Sequence, residues 1–265
     1  HSPLPPIELI KRQKREIVAR HTRPDNVKAL TQVVTTLAPL AALWWAAVQG
    51  SRISLWITVG VTLLMSLFLL RAFVMMHDCG HGSLFRGAGL NKVLGFVFGV
   101  VSGMPQFVWS QHHAYHHATN GNWAKYRGPL NIASVDEYAA LTEKQQCAYQ
   151  RARHIAMAPL AGFIYLIFNP RMNWLKGSLR LLVYIVRRKI SQPAVSFKSH
   201  AAEFKSPYWA SREEYWHMTG NNVVLLAGWW LMSWLIGPAL FFSVYVVSVS
   251  LAGAAGIVLF TVQHN

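Results

Sequence analysis

Two long apolar runs open the chain. Residues 27–48, VKALTQVVTTLAPLAALWWAAV, and residues 53–76, ISLWITVGVTLLMSLFLLRAFVMM, are separated only by QGSR. At about 1.5 Å per residue each run can cross a hydrocarbon core of about 30 Å, and the short linker makes the pair a helical hairpin. A second pair lies near the other end: NVVLLAGWWLMSWLIG, with a start drawn back to residue 219, then ALFFSVYVVSVSLAGAAGIVLFTV at 239–262. Gly237-Pro238 breaks the helix between them. The pattern therefore predicts an all-α integral membrane protein with four transmembrane helices, 27–48, 53–76, 219–237 and 239–262, in two hairpins. Arg71, near the end of the second run, is expected to snorkel to the headgroups.

The intervening residues 77–221 are mixed. Two shorter apolar stretches, 93–109 and 155–168, are each compatible with spanning, with lying in the interface or with dipping in and returning. The first carries Gly95, Gly99 and Gly103 at four-residue spacing before Pro105, a pattern that reads mainly as tight helix packing. The second is interrupted by Pro159 and Gly162. No internal repeat is evident.

Composition agrees with a membrane protein: 53% of residues are hydrophobic, mean hydropathy is +0.25, eleven are Trp and only 13% are charged. The formal charge of +15 is not matched by any nucleic-acid-reading motif, so nucleic acid is not expected as a partner. Seven Lys or Arg fall in residues 1–28 and sixteen in 77–221, with all ten acids in the same two regions. By the positive-inside rule both regions are cytoplasmic, and the two shorter stretches become interfacial or re-entrant elements of a cytoplasmic helical region. The basic clusters KRQKR at 11–15 and RRK at 187–189 read mainly as orientation signals, with anionic lipid or an acidic electron donor as further partners. Trp44, Trp45, Trp229, Trp230 and Trp234 read as belt or packing residues. Cys79 and Cys147 have no disulfide or zinc-ribbon spacing and are expected to be reduced thiols.

The chemistry lies in the histidines. The second run passes directly into HDCGHGSLF, which places His77 and His81 on one helical face. WSQHHAYHHATNGNW then holds His112, His113, His116 and His117. His113, His116 and His117 share a face at i, i+3 and i+4, while His112 is turned about 100° away and reads mainly as a neighbour, its i, i+4 pairing with His116 leaving a ligand role open. His264 follows the last run. Topology brings all three groups to one membrane face. Several imidazoles without thiolates suit Fe, Zn, Cu or Ni, and six exceed the three that a catalytic zinc site needs, which favours two metals. His154, His200 and His217 lack such spacing and are expected to be structural or surface residues.

HDCGHGSLF followed about thirty residues later by HHAYHHATN resembles the integral-membrane fatty acid desaturase family, whose boxes have the forms H-x-x-x-H and H-x-x-H-H. The resemblance covers most of the chain and is nearest to bacterial acyl-lipid enzymes. It implies two iron ions held by His77, His81, His113, His116, His117 and His264, with O2 as co-substrate. Electrons would come from a separate donor such as ferredoxin or a cytochrome or flavoprotein reductase. The product would be a cis double bond in a membrane lipid acyl chain, formed at the cytoplasmic face of a bacterial inner membrane. Asp78 and Asn120, with His112, are candidates for orienting the ligands. The family also implies a third H-x-x-H-H box, so a chain that runs from His1 to Asn265 is expected to be a C-terminally truncated fragment with little activity as given. A hydroxylase or ketolase of the same superfamily is the alternative. A histidine-rich metal carrier fits less well, since a carrier would place its ligands at mid-bilayer.

Overall fold

The computed structural model describes residues 9, 13, 16, 23–119, 122 and 132–264, the last five for the backbone alone. Among them every regular element is a helix. Helix α1 (Asn26–Ser51) starts where the Asp25 carboxylate accepts hydrogen bonds from the amides of Val27 (2.9 Å) and Lys28 (3.2 Å), groups that otherwise have no partner at a helix start. The Lys28 and Val27 amides hold that carboxyl below its ordinary range. Pro39 lies inside α1 and has no N–H for the carbonyl of Thr35. Arg71 of helix α2 (Leu55–Gly80) reaches across to that residue, 3.4 Å from the Thr35 carbonyl and 3.0 Å from its hydroxyl. The charge expected only to snorkel thus also closes a gap that proline leaves in the partner helix.

Helix α2 is the centre of the bundle. It packs on α1, on α3 (Ala88–Ser102) and on α11 (Pro238–His264), and its Met65, Ala72 and Met76 are fully buried together with Phe98 and Val249. Helix α4 (Gln106–Thr119) leaves α3 at 99°. Gly103 makes the turn with φ of +80°, a value only glycine adopts freely, and Pro105 prevents α3 from continuing. At Gly80 a side chain would strike Ser110, so the bare backbone lets α4 approach the end of α2.

Two short helices, α5 (Val135–Ala139) and α6 (Glu143–Arg153), lead into a continuous helical segment, Ile155–Ser191. It comprises a 3-10 turn, α7 (Ala158–Phe163), a π turn at Ile164–Phe168 and α8 (Asn169–Ser191). The apolar stretch expected to end at residue 168 runs on because Pro159 and Pro170 each fall in a first turn, where the missing N–H costs little. Helix α9 (Phe197–Glu203) and α10 (Arg212–Ile236) follow, and Gly237 with φ of +85° joins α10 to α11.

Four helical segments are long and apolar enough to cross a membrane: Asn26–Ser51, Leu55–Gly80, Ile155–Ser191 and Pro238–Leu259. The chain is an all-α membrane protein. Three of these segments coincide with sequence-predicted spans. The fourth extends the 155–168 stretch that was expected to be interfacial or re-entrant; the expected span 219–237 falls in α10 up to Ile236, where Asn221 and Asn222 lower the hydropathy. Both asparagines are buried, while Val223, Val224, Trp230 and Trp234 face outward, so α10 keeps an apolar outer face.

Where α7 crosses α11, Gly162 and Gly253 touch; a Cβ on Gly162 would sit 2.6 Å from the Gly253 backbone. Gly162→Val is expected to force the helices apart and cost about 1–3 kcal/mol, read as a lower thermal unfolding midpoint in detergent.

Candidate metal centre

The last turn of α2 and the middle of α4 supply two histidine pairs, each at i, i+4. His77 Nε2 and His81 Nε2 are 3.2 Å apart, and His113 Nε2 and His117 Nε2 are 2.9 Å apart. One ligand atom from each of the four lies within 4.8 Å of every other. Two nitrogens bound side by side to one ion, at bond lengths of about 2.1 Å, would stand about 3.0–3.4 Å apart. The observed spacings therefore suit imidazoles gathered around metal, and the all-nitrogen set is one that iron accepts.

His113 is the hub. Its ring contacts His77, His81 and His117 edge-on, with centroids at 4.8, 5.1 and 4.4 Å. Burial first, and then the neighbouring imidazoles, push its pKa down to about 3. Burial, and then His77, lower that of His81 as well. Both rings are thus neutral at physiological pH and offer a lone pair to a cation. Asp78 sits 2.9 Å from His77 Nδ1, which fixes the tautomer and aims Nε2 at the group. Asp78→Asn is expected to weaken metal binding 10- to 100-fold, measured as metal retained against a graded chelator.

Residues that the sequence did not mark complete the arrangement. Trp109, one turn before His113, stacks on it at 4.4 Å and 19°, and its indole N–H donates to the Tyr165 hydroxyl at 3.0 Å. Tyr165 comes from the π turn, a widening that swings a side chain out of the regular helical phase. Arg171 is buried and donates to the carbonyls of Gly103, Leu166 (2.8 Å) and Ile167 (3.1 Å) and to the Asn221 side chain (3.1 Å). It ties α8, α10 and the α3–α4 turn together, and so holds the helix that carries His113 and His117. The Trp109 signal was available, since it precedes His113 by four residues. Arg171 was only one cation in an apolar stretch.

Beside the histidines is a cavity of about 560 Å3, walled by Leu69, Phe73, Leu166, Val249 and Ala252, with His112, His113 and His116 among its polar lining. A smaller one, about 230 Å3, lies between Gly80, His81, Ser110 and His117. Trp109 and His113 line both. His116 is buried on the side of the larger cavity, its ring centroid 5.6 Å from that of His117, and it stands outside the four-nitrogen group. His264 ends α11, but its side chain, like Asn120, is outside the described residues. His217 stacks on Phe107 at 4.3 Å, and His200 is the buried residue of α9. Neither joins the group.

The model of the fatty acid desaturase family matches residues 53–265. Among curated proteins, a fatty acid desaturase of Bacillus subtilis (strain 168) is 31% identical over 170 residues, covering 64% of this chain and 48% of that protein. An omega-3 fatty acid desaturase of Caenorhabditis elegans is 29% identical over 123 residues, covering 46% and 31%. An sn-1 acyl-lipid omega-3 desaturase (ferredoxin) of Nostoc sp. (strain 36) is 23% identical over 246 residues, covering 88% and 59%. The chain thus spans between about a third and three fifths of the length of these relatives. No solved structure matches.

Proposed function

This chain belongs to the fatty acid desaturase family, and from that premise we propose that it serves an acyl desaturase reaction that inserts a cis double bond into a membrane lipid chain. The observation that carries the reading is the contact between the four-histidine group and an apolar cavity, with His113 belonging to both and Trp109 stacked on it in the cavity wall. His77, His81, His113 and His117 would hold iron. His116, on the cavity side, and His264, at the end of α11, are proposed to complete a two-iron ligand set. When bound, iron supplies the O2 chemistry that amino-acid side chains lack: an acyl –CH2–CH2– segment, O2, two electrons and two protons give –CH=CH– and two waters.

The rest is positioning by this chain. The apolar walls from α2, α7 and α11 exclude water from the acyl segment and hold it against the histidines. Trp109, fixed by Tyr165, keeps the His113 ring from turning. Asp78 retains the proton on His77 Nδ1, so that Nε2 stays a ligand. By analogy with the Nostoc relative, whose name includes ferredoxin, the electrons come from a small separate donor. The active face is proposed to be cytoplasmic, and the bacterial inner membrane to be the site of action, on the distribution of basic residues.

The test is expression of the protein that carries this chain, at its natural length, in a host whose membrane lipids are saturated, followed by mass spectrometry of the acyl chains. The expected result is a new chain two hydrogens lighter. A product one oxygen heavier would instead make the protein a hydroxylase of the same superfamily.

A further inference from the structure

Gly95 and Gly99 of α3, whose spacing reads as tight helix packing, make room for a side chain instead. A Cβ on Gly95 would lie 3.0 Å from the amide carbon of Gln106, and one on Gly99 would lie 3.1 Å from the Gln106 Cβ. On α2, a Cβ at Gly80 would strike the Ser110 hydroxyl. Bare backbone on two helices thus forms a cradle for two side chains that stand one turn apart on α4. Gln106 fills it and donates from Nε2 to Ser110 Oγ at 3.0 Å. A hydroxyl within a helix ordinarily turns back to the carbonyl of the preceding turn, as that of Thr119 does on the same helix with Tyr115 at 2.8 Å. Ser110 is bonded from a side chain instead. The Gln106 amide takes a lone pair of Oγ and leaves the O–H to be given elsewhere.

Ser110 lines the smaller cavity with His81, His113 and His117, while His113 and Trp109 stand between this cavity and the larger one. The two sides differ in character. Leu69, Phe73, Leu166 and Val249 make the larger cavity apolar. At the smaller one His81 and His117 are exposed to solvent, and its volume of about 230 Å3 holds several waters, with Ser110 and the imidazole edges as polar partners. Each double bond formed by the proposed reaction consumes two protons, and the apolar side has none to give. The imidazoles gather their Nε2 atoms for metal, Asp78 is held on His77 Nδ1, and the Trp109 N–H is given to Tyr165. Among the described residues that line the smaller cavity, Ser110 brings the hydroxyl.

We infer that Ser110 delivers the protons of the reaction and that Gln106 is its positioning residue. Ser110 passes its hydroxyl proton to the oxygen being reduced beside the histidines and takes another from water in the smaller cavity. One O–H bond breaks as one forms, and the residue ends unchanged. Two such transfers supply the two protons, and the two electrons come from the separate donor. Water enters on the side of His81 and His117, so protons arrive without wetting the acyl segment. The inference rests on the proposed desaturase reading.

The test uses the iron-loaded protein that carries this chain, at its natural length, as Ser110→Ala, Ser110→Thr and Gln106→Met. Methionine fills the cradle without an N–H. Ser110→Ala is expected to lower kcat about 100-fold, the lower end of what a positioned proton donor contributes. KM for the acyl substrate and iron content should stay within about twofold of native, since neither the acyl walls nor the ligands change. The solvent deuterium isotope effect on kcat should rise as proton transfer becomes the slow step. Ser110→Thr keeps the hydroxyl and should recover most of the rate, with Gln106→Met between the two. A second readout needs no turnover: pulsed EPR of the resting protein in D2O, its irons made paramagnetic by one-electron reduction. An exchangeable deuteron near the metal is expected in the native protein, absent in Ser110→Ala and restored in Ser110→Thr. Native kcat in Ser110→Ala, or a deuteron signal that this variant leaves unchanged, would overturn the inference. So would a loss shared equally by Ser110→Ala and Ser110→Thr, or one that follows iron content, the results of a packing role. A native protein that forms no double bond would overturn the desaturase reading instead, and the deuteron signal would still decide the place of Ser110.

Discussion

His113→Ala is expected to strip the protein of the proposed iron and to abolish the proposed double-bond formation, a loss of more than about 100-fold. A residue that only orients a ligand is worth 10- to 100-fold, and His113 is more central than that. Its Nε2 is 2.9 Å from that of His117, its ring touches those of His77, His81 and His117, and unlike His81 it lines the larger cavity as well. It also separates the two cavities. The loss is checked by iron content and by lipid analysis on the same preparation. His112→Ala is the control. That residue lines the cavity and is not among the four gathered nitrogens, so its replacement should cost far less iron than His113→Ala, at most the 10- to 100-fold in affinity of a group that only orients a ligand.

Arg171→Leu has the largest expected effect on stability, about 3 kcal/mol or more. The substitution leaves the carbonyls of Gly103, Leu166 and Ile167 and the Asn221 side chain without a donor they now share, and each buried polar group left unpaired costs about 1–3 kcal/mol. The π turn makes the site sensitive, since its widened ring leaves carbonyls that the helix itself does not satisfy. Because the Gly103 turn sets the direction of α4, the same variant should lose iron while α1 and α2 remain folded. Thermal unfolding and iron content, compared with Arg171→Lys, check this. Lys keeps a charge but lacks the planar fork that reaches several acceptors at once, so it should recover only part of the loss.

The two terminal hairpins and the histidine pairs were legible because each rests on a local period. An apolar run of twenty or more residues and imidazoles four apart fix span and face without any distant contact. The middle of the chain was not legible in that way. Residues 155–168 looked too short and too broken to continue, yet Pro159 and Pro170 fall at first turns and the helix reaches Ser191. That outcome depends on Arg171, whose acceptors lie on three separate segments, and no pattern within a window of sequence records such a contact. His116 shows a similar limit. The helical period places it on the face of His113 and His117, but its ring is buried on the side of the cavity beside α4.

The histidines are proposed to hold iron next to the apolar cavity. The most direct test is metal analysis with X-ray absorption on the purified membrane protein. Two irons per chain with nitrogen-dominated coordination, both lost in His113→Ala, are the predicted result. A protein that retains no iron after iron-replete expression, or whose metal is unchanged in His113→Ala, would contradict it.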